Sequence, residues 1–280
     1  MSFYTSLNGL KNAQTDLNVI SHNIANAETV GFKKSRTEFA DIVAGSAFTN
    51  PKLIQGIGAT LTSITQNFAQ GAVQQTGSAL DLMVNGDGFF TTKSSITGDT
   101  YYTRNGAFSL NGAGNVVDDS GNILQVYAVD ATGAMTATPN PAGGYAASDL
   151  VNCTVPATNT AGAGFAGLTI LENGDVTASY ADGSNAIVGK IAVSSFIAPN
   201  GLKQVGSSNW TSTGTSGTAV YGLPGAGQYG SILSGTLERS NVDIAEELVG
   251  LITAQRDFQA NAKAIDTATQ ISQTIINLRT

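Results

Sequence analysis

Hydrophobic positions recur at helical spacing at both ends of this 280-residue chain, and between the ends the period changes to that of strands. Phe3, Leu7, Leu10, Gln14, Leu17, Ser21 and Ile24 step alternately by four and three, the seam of a coiled coil. Leu10, Ala13, Leu17, Ile20, Ile24 and Ala27 form a second, adjacent stripe, which widens the apolar face enough to meet more than one neighbour. Gly9 is the weak point, costing about 1 kcal/mol relative to Ala in a helix interior. Ile244, Leu248, Leu251, Gln255, Phe258, Ala262, Ile265, Thr269, Ser272 and Ile276 repeat the spacing at the other end. Ser240 or Asn241 is the expected N-cap there, with Asp243, Glu246 and Glu247 at the positive end of the helix dipole and Arg279 in the last turn. Polar members in both seams predict a pair that is only marginally stable alone and that makes sense when several helices share it. The plainer alternative is a pair of amphipathic helices closing an ordinary globular core.

From about Ile57 onward, short apolar runs alternate with turn residues. Asn85-Gly86-Asp87-Gly88, Asn105-Gly106, Asn111-Gly112, Asp119-Ser120-Gly121-Asn122 and Glu172-Asn173-Gly174-Asp175 mark reversals in which Gly supplies the positive φ of tight hairpins. Strands separated in this way predict an all-β antiparallel domain. Two stretches depart from the pattern. From Gly31-Phe32-Lys33 to about Gln70 the apolar spacing is patchy and interrupted by Gly45, Pro51, Gly56 and Gly58, which predicts an extended arm ordered by its neighbours. Residues 131–165 are dense in Ala, Gly, Thr and Pro and predict a long connection or small excursion.

Composition sharpens the functional reading. Charged residues make up 12% of the chain, about half the usual share, and small polar residues take their place. Such a surface suits burial against further copies, and a β-rich secreted protein with polar loops is the bland alternative. The net charge of −7 and the lack of a basic cluster denser than Lys33, Lys34 and Arg36 argue against a nucleic-acid partner. No run reaches the ~18 apolar residues of a membrane span, so no membrane insertion is expected. Residues 1–20 have no basic start, apolar block or small-residue cleavage site, so a cleaved signal peptide is not expected either. A single cysteine, Cys153, excludes an internal disulfide and reads as a strand-borne thiol.

Catalytic chemistry finds little to work with. His22 is the only histidine, and it lies on the first helix far in sequence from acids of the β region. A zinc site would lack ligands, and no cofactor motif is present. Asp81, Asp87, Asp118, Asp119 and Asp175 could supply a glycosidase pair, but most occupy turns where Asp serves the backbone. The expectation is a protein that is not an enzyme and needs no cofactor or metal.

The segments Leu17 to Asn26 (LNVISHNIAN) and Thr29 to Lys33 (TVGFK) resemble the N-terminal signature of the bacterial flagellar rod and hook proteins. Gly235 to Asp243 (GTLERSNVD), Glu246-Glu247-Leu248-Val249 and Ala254 to Ala262 (AQRDFQANA) are similar to the other end of that family. Leu80 to Phe90 (LDLMVNGDGFF) and Tyr102 to Phe108 (YTRNGAF) resemble the start of its β domain. Met1-Ser2-Phe3 and Ile276-Asn277-Leu278-Arg279 look most like the hook branch, with the distal rod branch next. Two departures stand out: only 131–165 is available for the second β domain that hook subunits carry, and His22 stands where Asn is usual.

The resemblance implies an α+β subunit with a terminal helical coiled coil (1–30 and 240–280), an extended connecting arm (31–70) and an antiparallel β domain (71–130 and 166–239). Residues 131–165 would replace the second domain. It also implies a homopolymeric tube, the hook, which transmits torque from rod to filament, with the straight distal rod as the alternative and an adhesin-like surface protein as a more distant one. Phe3, Leu7, Leu10, Leu17, Ile20, Ile24, Leu248, Leu251, Phe258, Ile265 and Ile276 would build the inner helices, and Gly31, Phe32 and Lys33 would open the arm. Other axial proteins at the two ends of the tube, a hook cap and the flagellar export apparatus would be its partners, and the flagellum outside the cell its location.

Overall fold

The computed structural model describes residues 2–44, 55–130, 133–139 and 144–278. Gly45, Pro51, Arg279 and part of the 131–165 stretch therefore lie outside the described residues. The chain divides into two compact units, one drawn from residues 1–27, 33–67 and 242–280 and the other from 28–32 and 68–241.

The first unit joins the chain ends. Helix α1 runs Ser2–Ala25 and α2 runs Ile244–Leu278, both uninterrupted by proline. The two pack antiparallel. A Cβ built on Gly9 would lie 2.5 Å from the Asn261 side chain, one on Gly250 would lie 3.5 Å from Ile20, and Asn23 hydrogen-bonds Glu247. Partner numbers thus fall as α1 numbers rise, and Gly9 is the residue that permits the closest approach. The N-cap of α2 is Asp243, not Ser240 or Asn241: its Oδ1 accepts the backbone N–H groups of Ala245 (2.8 Å) and Glu246 (3.3 Å).

The same unit holds paired strands within the stretch expected as an arm. Ser35–Ala44 (β1) and Gln55–Gln66 (β2) form an antiparallel ribbon with register shifts at Glu38/Phe39 and Ile42/Val43. β-branched residues oppose one another across it at Thr37 and Ile64, which favours pairing over a solvated strand. Helix α1 then ties the ribbon down. Asn12 donates to the Ala59 carbonyl at 2.9 Å and Thr5 to that of Ile57 at 3.3 Å. Lys33, expected to open an arm, is almost fully buried.

The second unit is the β body. Its main sheet runs in the order Phe165–Ile170, Asp175–Tyr180, Asn185–Ile191, Asn122–Tyr127, Phe89–Ser94, Thr100–Thr103, Asn209–Thr211 and Lys203–Gly206, antiparallel throughout. Successive side chains on its strands feed two apolar clusters. Phe90, Leu124, Val126 and Val193 join one with Ile191 and Ile232, while Phe89, Tyr127 and Ala192 join the other with Tyr102 and Trp210. Both faces of the central strands are therefore covered.

The described part of 131–165 is woven into this body. Leu150–Asn152 pairs with Gln125–Tyr127, Cys153 and Val155 lie in the first cluster, and the Tyr145 ring lies tilted against Tyr127 with centroids 4.9 Å apart. Cys153 follows a strand directly, and burial pushes its thiol up to about 12. Gly31 and Phe32 also belong to this unit. The Gly31 N–H donates to the Glu238 carbonyl (2.8 Å), and Phe32 is buried. Only part of the turn reading depends on left-handed glycines. Gly86, Gly88, Gly121 and Gly174 have positive φ, whereas Gly106 does not, and its need for glycine is spatial: a Cβ there would come 1.7 Å from the Leu82 carbonyl oxygen.

Candidate self-assembly surface

A helix that is apolar on one side must bury that side, so the test of the helical ends is which faces the chain itself leaves uncovered. In α1 the buried side chains are Ala13, Val19, Ile20 and Asn23, with Ala27 just beyond its end. The second stripe supplies three of these, Ala13, Ile20 and Ala27. The seam that opens the chain stays open to solvent: Phe3 is 42% exposed, and Leu7, Leu10, Leu17 and Ile24 are half-buried. Gln14 and Ser21, the polar seam members, are exposed.

α2 is barer still. Among its 35 residues only Glu247 and Ala254 are buried. Leu251, Phe258 and Ile265 are half-covered, while Leu248, Val249 and Ile252 are exposed. The pairing register brings Ser2 level with Ala268, so residues 269–278 extend past the start of α1 by about 15 Å. Every residue of that overhang is exposed, including Ile271, Ile275, Ile276 and Leu278. A row of aliphatic side chains on an isolated helix end is costly in water, at roughly 25 cal/mol for each Å² left uncovered. The ribbon adds Phe39, Val43 and Ile64 to the exposed apolar surface of the same unit.

The polar residues of the helix pair are concentrated at one point. Asn23 Nδ2 donates to Glu247 Oε2 at 3.0 Å and to the Ser35 carbonyl at 2.8 Å, and the Ser35 N–H returns a bond to Asn23 Oδ1 at 2.9 Å. Lys34 Nζ lies 2.7 Å from Glu247 Oε1 and 3.3 Å from Glu246. Burial lowers the Lys34 pKa, but hydrogen bonds to Glu247 and Glu246 and their negative charge outweigh it, and the group ends above its ordinary 10.5. Sequence periodicity placed Glu247 at the helix dipole and passed over Asn23. The available signal was a polar residue within the Ile20, Ile24, Ala27 stripe.

Two of the carboxylates considered for catalysis have structural work. Asp118 Oδ1 accepts the N–H groups of Ser120 and Asn122, and Asp175 pairs with Lys190 at 3.1 Å. His22 is exposed near the end of α1, where Asn26 donates to its carbonyl. A cleft of about 490 Å³ in the β body is walled by Arg104, Phe89 and Phe196. Its arginine is engaged by Glu238 at 3.3 Å and by the carbonyls of Val84 and Gly86.

Comparison with known proteins gives one answer along the chain. Residues 3–33 match the family described as flagella basal body rod protein, 83–178 the flagellar hook protein FlgE/F/G D1 domain, and 233–278 the flagellar basal body rod FlgEFG protein C-terminal. The chain is 36% identical to the flagellar basal-body rod protein FlgG of Bacillus subtilis over 291 positions, covering 99% of this chain and 98% of that protein. It is 31% identical to FlgG of Borreliella burgdorferi, covering 99% and 98%. With the flagellar hook protein FlgE of Escherichia coli it shares 28% identity over 410 positions, covering all of both chains.

Proposed function

The chain belongs to the family of flagellar rod and hook proteins, structural and not enzymatic, and from that premise we propose that it polymerises through its terminal helices into the tubular hook. The family assigns it to the axial structure of the bacterial flagellum. The observation that carries the helical part of the reading is the uncovered apolar surface of α1 and α2, above all the overhang at Ile271, Ile275, Ile276 and Leu278. Further copies covering these faces would give the inner wall of a tube. The β body, low in charge and rich in Ser, Thr, Asn and Gly, would form the outer wall, where small polar contacts of fractions of a kcal/mol slide easily as a tube bends.

Placement in the hook, as a flexible joint between rod and filament, rests on the two chain ends, Met1-Ser2-Phe3 and Ile276 to Arg279. A specific observation favours the distal rod as the second reading. The alignment with the Escherichia coli hook protein spans 410 positions against 280 residues here, so much of that protein has no counterpart, whereas the Bacillus subtilis rod protein aligns over 291. Electron microscopy of polymer grown from purified chain separates the two. Curved or supercoiled tubes support the hook, uniformly straight rigid tubes the distal rod, and failure to form tubes under any assembly condition would contradict both.

A further inference from the structure

We propose that Asn23, through its hydrogen bond to Glu247, fixes the register in which the two terminal helices pair, and thereby which chains can add to a polymer. The proposal rests on the assembly reading above and concerns a property that reading leaves open. Heptad seams repeat, so an antiparallel pair can slide by seven residues and again bring aliphatic side chains together.

Steric fit does not prevent the slide. In the observed register Gly9 approaches Asn261, and one heptad either way brings it level with Ala254 or Ala268, both small enough for close approach. The buried polar groups do discriminate. Slid one way, Glu247 comes level with Asp16, carboxylate against carboxylate. Slid the other way, it passes beyond Ala25, the last residue of α1. In both cases Asn23 keeps its two bonds to Ser35 but, buried, loses its carboxylate partner, and Glu247, 4% exposed in the observed register, loses the Asn23 donor. Lys34 reaches Glu247 from the residue just before Ser35, so strand, first helix and second helix are pinned at one point. A pair one heptad out would displace α2 by about 10 Å and present a neighbour with a different surface.

The test introduces reporter cysteines into the full chain, in which Cys153 is buried and silent. Gly9→Cys with Asn261→Cys reports the observed register, and Gly9→Cys with Asn261→Ala, which clears the space a Cβ at position 9 needs, and Ala254→Cys or Ala268→Cys reports the two slides. In the otherwise unchanged chain only the first pair should cross-link. Glu247→Leu should raise the slipped cross-links relative to the native one by about tenfold to a hundredfold, the worth of a hydrogen bond to a charged group. Helical signal should be retained and polymer yield should fall. Glu247→Gln, which can still accept from Asn23, should restore the native pattern.

Native cross-linking alone in Glu247→Leu would overturn the proposal. Loss of helix instead of slippage would also overturn it, by making the contact a matter of stability, and so would slippage in Glu247→Gln equal to that in Glu247→Leu. Normal polymerisation of a slipped variant would overturn the link to assembly. Failure of the parent chain to polymerise would count against the assembly reading while leaving the cross-linking result to judge the register.

Discussion

Lys34 and Glu247 show how a single ion pair ties the start of β1 to the start of α2. Because the folded pKa of Lys34 is raised, its contribution to stability is fully present below the ordinary 10.5 and is lost as pH rises through the higher folded value. The helix pair of the parent chain should therefore melt at progressively lower temperature in alkaline solution above that pH. A Lys34→Met chain, lacking this component, should show a smaller decline when both are followed by far-UV helical signal. Parallel declines would remove the pair from the account. Lys33, the neighbouring residue, is buried, and no periodicity announces it: only the packing separates the two adjacent lysines. Asn23 was missed for a similar reason, since the partner that makes it meaningful lies 224 positions away.

Helices and strands were legible to different degrees. The four-three spacing located both helices because an amphipathic helix writes its period into contiguous sequence. It did not identify which stripe each helix buries, since that depends on the partner. Within one chain the second stripe of α1 is the one covered, at Ala13 and Ile20. The pairing within 31–70 is hard to see in sequence because its two strands are separated along the chain and carry bulges that break strict alternation. For residues 131–165 the Ala, Gly and Thr composition gives no sign that Cys153 and Val155 belong to the first apolar cluster. Both apolar clusters of the β body lie wholly within the second unit. Chains lacking residues 1–24 or 245–280 should therefore keep a cooperatively folding, monomeric β body and lose polymerisation. Gel filtration and thermal melting check the first point and sedimentation of polymer the second. A truncated chain that still pelleted as tubes would sink the helix-driven scheme.

At the scale of the whole molecule, we propose that this chain carries helical faces that other copies complete. Leu251 and Phe258 are half-covered in a single chain, so their remaining surface is available to neighbours. Replacing a fully buried Leu or Phe by Ala costs about 2–5 kcal/mol, because the lost contacts leave a cavity. The cost of these two replacements should therefore fall mainly on assembly and only in part on the isolated chain. The measurement is polymerisation of the Leu251→Ala, Phe258→Ala double variant by sedimentation and electron microscopy, beside thermal unfolding of its β body. The account predicts an intact β body with tube formation lost or shifted to far higher protein concentration. Tubes formed at the parent's concentration and yield would contradict it.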